Sequence, residues 1–193
     1  MNKFYIVYAH PNHQGHHACF LKAILKRLDE TNENYEVLDL YAINYDPVLK
    51  SDELYSSGQK TVNEQNLGFQ KKIKESNRLL FIYPTWWGGM PAILKGWIDR
   101  VFVGGFGFVY KLGIPIGQLK GKKAAVFSAS GSPELYSLLI TREQAVRTMT
   151  HDVLRFCGLE AKSFRLGSAK ILNKDSELKI DNIANKVYQY LTS

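Results

Sequence analysis

The sequence predicts an α/β fold: a doubly wound, five-stranded parallel sheet in the order 2-1-3-4-5, with helices on both faces. Three observations predict it. Short continuous apolar runs of strand length recur along the chain. Between them lie segments whose apolar residues return every three or four positions, as on one face of a helix. The strict strand-helix alternation that results implies parallel strands joined by crossover helices. No repeat, low-complexity tract or linker interrupts the pattern, so residues 1–193 read as a single domain.

The elements follow in order. Phe4 to Ala9 is a continuous apolar run and reads as a buried first strand. Phe20, Leu21, Ile24, Leu25 and Leu28 have helical spacing, and Tyr35 to Leu40 reads as a second strand. Residues 41–66 are polar and loop-like, with turn signals at Asp46-Pro47 and Ser56-Ser57-Gly58. A short helix over about 66–76 precedes the strand Arg78 to Tyr83, which Pro84 ends. Pro91 suits the first turn of a helix carrying Leu94, Trp97, Ile98, Val101 and Phe102. Gly104 to Gly121 is a glycine-rich excursion, and Ala124 to Ser128 is the fourth strand. A long helix over Thr141 to Phe156, with Gly158 at its C-terminus, leads to a fifth strand over Glu160 to Leu166. A helix over about Ser176 to Leu191 closes the chain.

In open sheets of this kind ligands sit beyond the carboxyl ends of the strands, where the strand order reverses. That rule selects the loops after residues 9, 83 and 127. The first, His10 to Cys19, leads into a helix N-terminus, whose free N–H groups and dipole attract a phosphate. It lacks both the GxGxxG and the Walker pattern. Its four histidines can donate to a phosphate. A metal reading lacks an acidic partner in the loop, and Cys19 fits no zinc spacing. The second loop holds Pro84, Thr85, Trp86, Trp87, Gly88 and Gly89. Two adjacent indoles cannot both face the core, and two glycines let a ligand approach the backbone closely. The combination suits a flat heteroaromatic ring, or a loop buried in a subunit interface. The third loop, from Ser128 through Ser130, Gly131, Ser132 and Pro133, offers small residues and hydroxyls to the same ring.

Composition narrows the class. Hydrophobic residues make up 45% and charged residues 22%, as in a soluble globular protein, and no run of about 18 apolar residues suggests a membrane span. The N-terminal apolar stretch is too short for a signal peptide, so a cytoplasmic location is expected. Cys19 and Cys157 fit no metal or redox spacing and read as reduced thiols. The net charge of +7 is spread along the chain without a nucleic-acid motif; it favours anionic ligands, and no nucleic-acid partner is expected.

Together the three loops resemble those of the flavodoxin-like quinone reductases, the DT-diaphorase type and its bacterial relatives, some of which are ancillary subunits of potassium efflux systems. The resemblance covers nearly the whole chain. It is most specific over Tyr83 to Phe102, where the sequence fits P-x-x-W-x-G-x-P-A-x-L-K-G-W-x-[DE]-R-V-F. Tyr8-Ala9-His10-Pro11, Gly105-Phe106 with Phe108 and Tyr110, and Phe156-Cys157-Gly158 support it.

The resemblance implies an NAD(P)H dehydrogenase of quinones that binds FAD, with FMN as the alternative. NAD(P)H would reduce the flavin, leave, and be replaced by a quinone or similar planar acceptor. His10 matches a histidine beside the flavin phosphate, and His16, His17, Ala18 and Cys19 stand at the phosphate-facing helix start. Pro84 to Gly89 match the loop lining the isoalloxazine, and Ser128, Ser130, Gly131 and Ser132 match the second flavin loop. Tyr136 matches a tyrosine that handles charge during hydride transfer. Phe106, Phe108 and Tyr110 match substrate-pocket aromatics, some reaching it from a neighbouring subunit, so a homodimer is implied. A membrane transporter is a further partner that the resemblance admits. The sequence departs from the pattern at His16 and Cys19, where a serine and an asparagine are usual, and at Arg142, where the diaphorases have a histidine. A permanently charged arginine stabilises an anion but relays no proton. Two rival expectations are a flavodoxin-type electron carrier and a regulatory flavoprotein subunit of a potassium efflux transporter.

Overall fold

The computed structural model describes residues 2–54, 61–140, 142 and 144–193. The turn expected at Ser56-Ser57-Gly58 and the helix start expected at Thr141 lie outside the described residues. Among the described residues seven strands form: β1 (Lys3–Tyr8), β2 (Asn34–Asp39), β3 (Arg78–Pro84), β4 (Phe108–Lys111), β5 (Ile114–Gly117), β6 (Lys123–Ala129) and β7 (Glu160–Leu166). Five of them make one parallel sheet in the order β2-β1-β3-β6-β7, which is the expected 2-1-3-4-5 once the small β4-β5 hairpin is set aside. That antiparallel hairpin is what the glycine-rich excursion becomes.

Strand periodicity builds the layers. Tyr5 and Val7 of β1, Leu79, Phe81 and Tyr83 of β3, and Ala124 and Val126 of β6 face one core. It is covered by α2 (Glu64–Glu75), α3 (Ala92–Val101) and the helical stretch after residue 144. The alternate residues, Phe4, Ile6 and Tyr8, Leu80 and Ile82, Ala125 and Phe127, face the other core, under α1 (His16–Glu30) and α6 (Lys174–Thr192). Because successive side chains point to opposite faces, the three central strands must be apolar throughout, as they are.

Two expectations need correction. The segment expected as a loop over 41–66 is not free where it is described, and its last residues already belong to α2. Tyr45 is buried in the core, and a short 3-10 turn (Ser51–Glu53) carries Glu53 onto the end of α3. There Arg100, itself buried, meets Glu53 as a fork, with both contacts at 2.8 Å, and also donates to the Asp46 carbonyl. Its guanidinium lies 5.5 Å from the Tyr45 ring centroid. The fork holds the Glu53 carboxyl below its ordinary range although burial opposes this, so the pair is ionised and fastens the strap.

The long helix expected over Thr141 to Phe156 is the second correction. The loop after β6 first forms a short helix, α4 (Glu134–Leu139); Arg142 then adopts φ +48°, which a helix cannot contain, and α5 spans only Gln144–Arg147. From Thr148 to Arg155 the helix is wound as a π-helix. The Thr150 hydroxyl takes the Val146 carbonyl at 2.8 Å, competing with the α-helical ladder where the winding changes.

Gly96 shows how closely the strap lies on α3. A Cβ added there would stand 2.1 Å from the Pro47 carbonyl oxygen. Because the Arg100 clamp holds that segment, Gly96→Ala should destabilise the protein by about 2 kcal/mol or more in urea unfolding, in line with other overpacking changes. An unchanged midpoint would show that the strap yields freely.

Candidate functional site

The site lies where β1, β3 and β6 end. After β1 the chain turns through residues 9–15. Asn12 organises the turn: its side-chain oxygen accepts from Gln14 N–H at 2.7 Å and its carbonyl accepts from the Tyr8 hydroxyl at 2.8 Å. Its own N–H donates to His10 Nδ1 at 2.9 Å. The same Nδ1 lies 3.0 Å from the Asn12 carbonyl, so the turn accommodates either ring tautomer, and burial, the largest effect, holds the ring's pKa below its usual value against the Asn12 bond. Asn12 was not singled out in the sequence; the Asn-x-x-Gly turn pattern was the available signal.

Helix α1 then starts without a side-chain cap and without an acidic residue in its first turn. Its first ladder bond is Cys19 N–H to Gly15 O, at 3.0 Å, so the N–H groups of His16, His17 and Ala18 have no intrahelical acceptor. Helix starts are normally capped by Ser, Thr, Asp or Asn. A helix that omits the cap while burying its first turn is suited to an anion as the cap. His16 adds to this. It is buried in the same turn, and its Nε2 has no hydrogen-bond partner among the described residues.

His17 joins the three strand ends. Its Nε2 accepts from Ala129 N–H at 3.2 Å, at the end of β6, which puts the ring proton on Nδ1. A hydrogen bond to the Tyr83 backbone reaches β3. Its ring stacks on His10 at 4.8 Å, and His10 lies 5.9 Å from Trp86. Burial, then the neighbouring His10, pushes the His17 pKa down to about 3, with the Tyr83 bond opposing. His17 is therefore neutral at any ordinary pH. The four histidines do not converge: His13 turns away to Asp39 (3.2 Å) and stacks on Tyr8.

After β3, Trp86 and Gly89 exchange backbone hydrogen bonds at 3.0 and 2.9 Å. Between them Trp87 has φ +51° and Gly88 φ +72°, a tight I′-type turn. A bulky residue in the left-handed region costs about 1–2 kcal/mol, and the Trp87 side chain gains no packing in return, being fully exposed at 106%. The Trp87 and Gly88 N–H groups have no partner among the described residues and remain available as donors. Pro84 completes β3, and Thr85 ties the turn to the third loop, N–H to Ala129 O at 3.0 Å and hydroxyl to Ser128 at 2.8 Å.

In that third loop Ser130 N–H goes to Leu166 O, while Ser130 O and Ser132 O accept from Ala169 and Ser168. The loop is thus stitched to the segment after β7, which sequence reasoning missed, and exposed Gly131 sits between the two stitches. Tyr136 stands on α4, half exposed at 49%, in a run with exposed Leu135, Leu138, Leu139 and Ile140. Arg142 follows, also exposed.

The substrate-pocket aromatics fall elsewhere in the single chain. Phe106 is 4% exposed and packs into the core against Phe102, with Lys74 Nζ 5.5 Å from its ring, so it faces no pocket here. A glycine on either side let it fold inward. Phe108 packs on Phe156 at 5.0 Å and on Tyr110 at 5.6 Å. Phe108 and Phe156 line an apolar cavity of about 500 Å³ with Leu49, Phe102, Val103 and Val153, at the far end of α3 from the tryptophan turn. Tyr110 is exposed on the hairpin.

A family model described as a flavodoxin-like fold matches residues 2–191. The chain belongs to this Flavodoxin_2 family. It is 29% identical over 195 residues to a Haemophilus influenzae protein named as an uncharacterized NAD(P)H oxidoreductase, covering 97% of this chain and 95% of that one. It is 27% identical over 198 residues to human ribosyldihydronicotinamide dehydrogenase [quinone], covering 92% and 86%. Among solved structures it matches the NAD(P)H:quinone oxidoreductase of Methanothermobacter marburgensis with a TM-score of 0.87 at 26% identity, covering 100% and 98% of the two chains.

The neutral His17 makes a testable contribution to acid stability. Its folded pKa lies below the unfolded value, so its stabilisation is present above about pH 6.5 and is lost as the pH falls toward 3. His10 and His16, also lowered, act in the same direction. Stability should fall by about 2 kcal/mol from His17 alone between pH 7 and 5. That component should disappear in His17→Gln, measured as urea midpoints against pH.

Proposed function

We infer that this chain is an NAD(P)H dehydrogenase of the quinone-reducing type that works through a bound flavin held at the ends of β1, β3 and β6. The observation that carries the reading is the unfinished state of all three loops together: an uncapped α1 start with an orphaned His16 nitrogen, a strained turn with two free N–H groups, and a small-residue loop beside it. These features suit a flavin nucleotide. The N–H groups of His16, His17 and Ala18, with the His10 ring, would hold its phosphate. The tryptophan turn and the Ser130–Ser132 loop would hold the ring. A bound flavin supplies two-electron chemistry, taking hydride from NAD(P)H and passing it to a quinone or similar planar acceptor.

The chain's own residues orient and stabilise. Two N–H donors at Trp87 and Gly88 meet the polar edge of a ring without reorganising, because the turn is closed on both sides by its own hydrogen bonds. The Tyr136 hydroxyl donates a hydrogen bond to developing negative charge. Arg142 supplies fixed positive charge. Trp87 shields the ring from water. FAD is our choice over FMN, resting on the diaphorase-like sequence of the β3 loop and α3. The same surface favours a homodimer: Trp87 and the apolar face of α4 are left open by a single chain, and a two-fold partner would cover them.

The purified protein should be yellow, release FAD on heating, and oxidise NADPH when a water-soluble quinone is present; a colourless protein that FMN and FAD both fail to reconstitute would end this reading. Trp87→Gly should leave stability within about 0.5 kcal/mol of the parent, since the relieved strain offsets the added chain entropy, yet weaken flavin retention. Tyr136→Phe should slow flavin reduction in stopped flow, and an unchanged rate removes that residue from the chemistry.

A further inference from the structure

A second cavity adjoins the tryptophan turn. It measures about 610 Å³ and is lined by Gly88, Arg142, Gln144, Arg147, His151 and Asp152, among others. Ile140, the residue after α4, closes another side. The cavity therefore lies between the turn and the α4 segment assigned above to the flavin ring. Its chemistry differs from the apolar cavity by the hairpin: the walls are mostly polar, and two arginines face in. Neither guanidinium has a carboxylate or hydrogen-bond partner among the described residues, and both residues are exposed.

Local structure aims these groups. The φ of +48° at Arg142 breaks the chain direction between α4 and α5, and a non-glycine residue is held there at a cost. The change from α to π winding at Thr148 gives Arg147, Thr148, His151 and Asp152 a common wall, the i, i+1, i+4, i+5 spacing of a π-turn. Arg155 Nη1 lies 3.1 Å from His151 Nε2 and extends the positive side of this wall. Asp152 is the opposing charge, and it also lines the apolar cavity. Paired, planar, unneutralised guanidinium groups are built for phosphate oxygens.

We propose that this cavity recognises the 2′-phosphate of NADPH, with Arg147 as the residue that selects the phosphorylated dinucleotide over NADH. The proposal rests on the dehydrogenase reading and adds which reductant the site takes. The sharing of Gly88 places such a phosphate subsite at the edge of the flavin crevice, where an extended dinucleotide has to run.

The test uses the intact flavin-loaded protein and Arg147→Gln. The variant should raise KM for NADPH roughly tenfold, the loss of one charge-assisted contact, with KM for NADH and both kcat values unchanged. Asp152→Asn should move the NADPH KM the other way, which a merely structural lesion would not do. In parallel, calorimetry on the same proteins should show 2′,5′-ADP binding to the parent and at least tenfold more weakly to Arg147→Gln, with 5′-ADP indifferent to the change. Equal shifts for NADPH and NADH, no shift, or a matching shift with a phosphate-free dihydronicotinamide would overturn the proposal. A parent that oxidises neither dinucleotide would defeat the dehydrogenase reading, and the 2′,5′-ADP comparison would still decide this one.

Discussion

The geometry of the site depends on one side chain in the first turn of α1. His17 accepts from the last N–H of β6, bonds the backbone at the end of β3, and stacks on His10 from the loop after β1. It is the joint at which three strand ends become one crevice. It performs this only as a neutral imidazole, because a second ring proton would face the Ala129 N–H with no acceptor between them. Burial supplies the neutrality. Phe127, edge-on to its ring, and the stacked His10 exclude the water that would stabilise a charge.

Around this joint the protein tolerates features that its core avoids. Away from the crevice α2 is capped by Asn63 and α6 by Asn173 with Ser176, while α3 and α4 start behind Pro91 and Pro133 without a side-chain cap. Helix α1, whose N-terminus faces the crevice, buries His16, His17 and Ala18 of its first turn behind an uncapped glycine. Left-handed backbone at a tryptophan, an exposed indole and an apolar stripe on α4 each cost free energy in the isolated chain. Their clustering at the carboxyl edge of the sheet, and not at its opposite edge, is the mark of a surface completed by something else. On the function proposed above, that completion would be a flavin ring with its phosphate, and the substrate that stacks on it.

Much of this was legible in the sequence because it follows from periodicity. Phe4–Ala9, Arg78–Tyr83 and Ala124–Ser128 are apolar on both faces, as central parallel strands must be, and they fixed the switch point and its loops. What escaped was set by tertiary contacts. The strap over α3 looked polar because its key interaction is an ion pair, Glu53 with Arg100, and a pair distant in sequence has no local signature. The π-winding at Thr148 was hidden because its apolar spacing also fits an α-helix. Phe106 matched a substrate-pocket aromatic through the family resemblance, and in the single chain it packs inward against Phe102. The basic wall of Arg147 and His151 was present as an i, i+4 pair but had no meaning until Arg142 broke the chain ahead of it.

The neutral bridge can be observed directly. Nitrogen-15 spectra of histidine-labelled protein, followed from pH 8 to pH 4, report the tautomer and titration of each ring. His17 should show a single Nδ1–H tautomer that does not titrate in that range, apart from its four companions. A His17 that takes up a proton near pH 6.5, or that exchanges between tautomers, would mean the three strand ends are not joined in this way, and the crevice built upon them would lose its foundation.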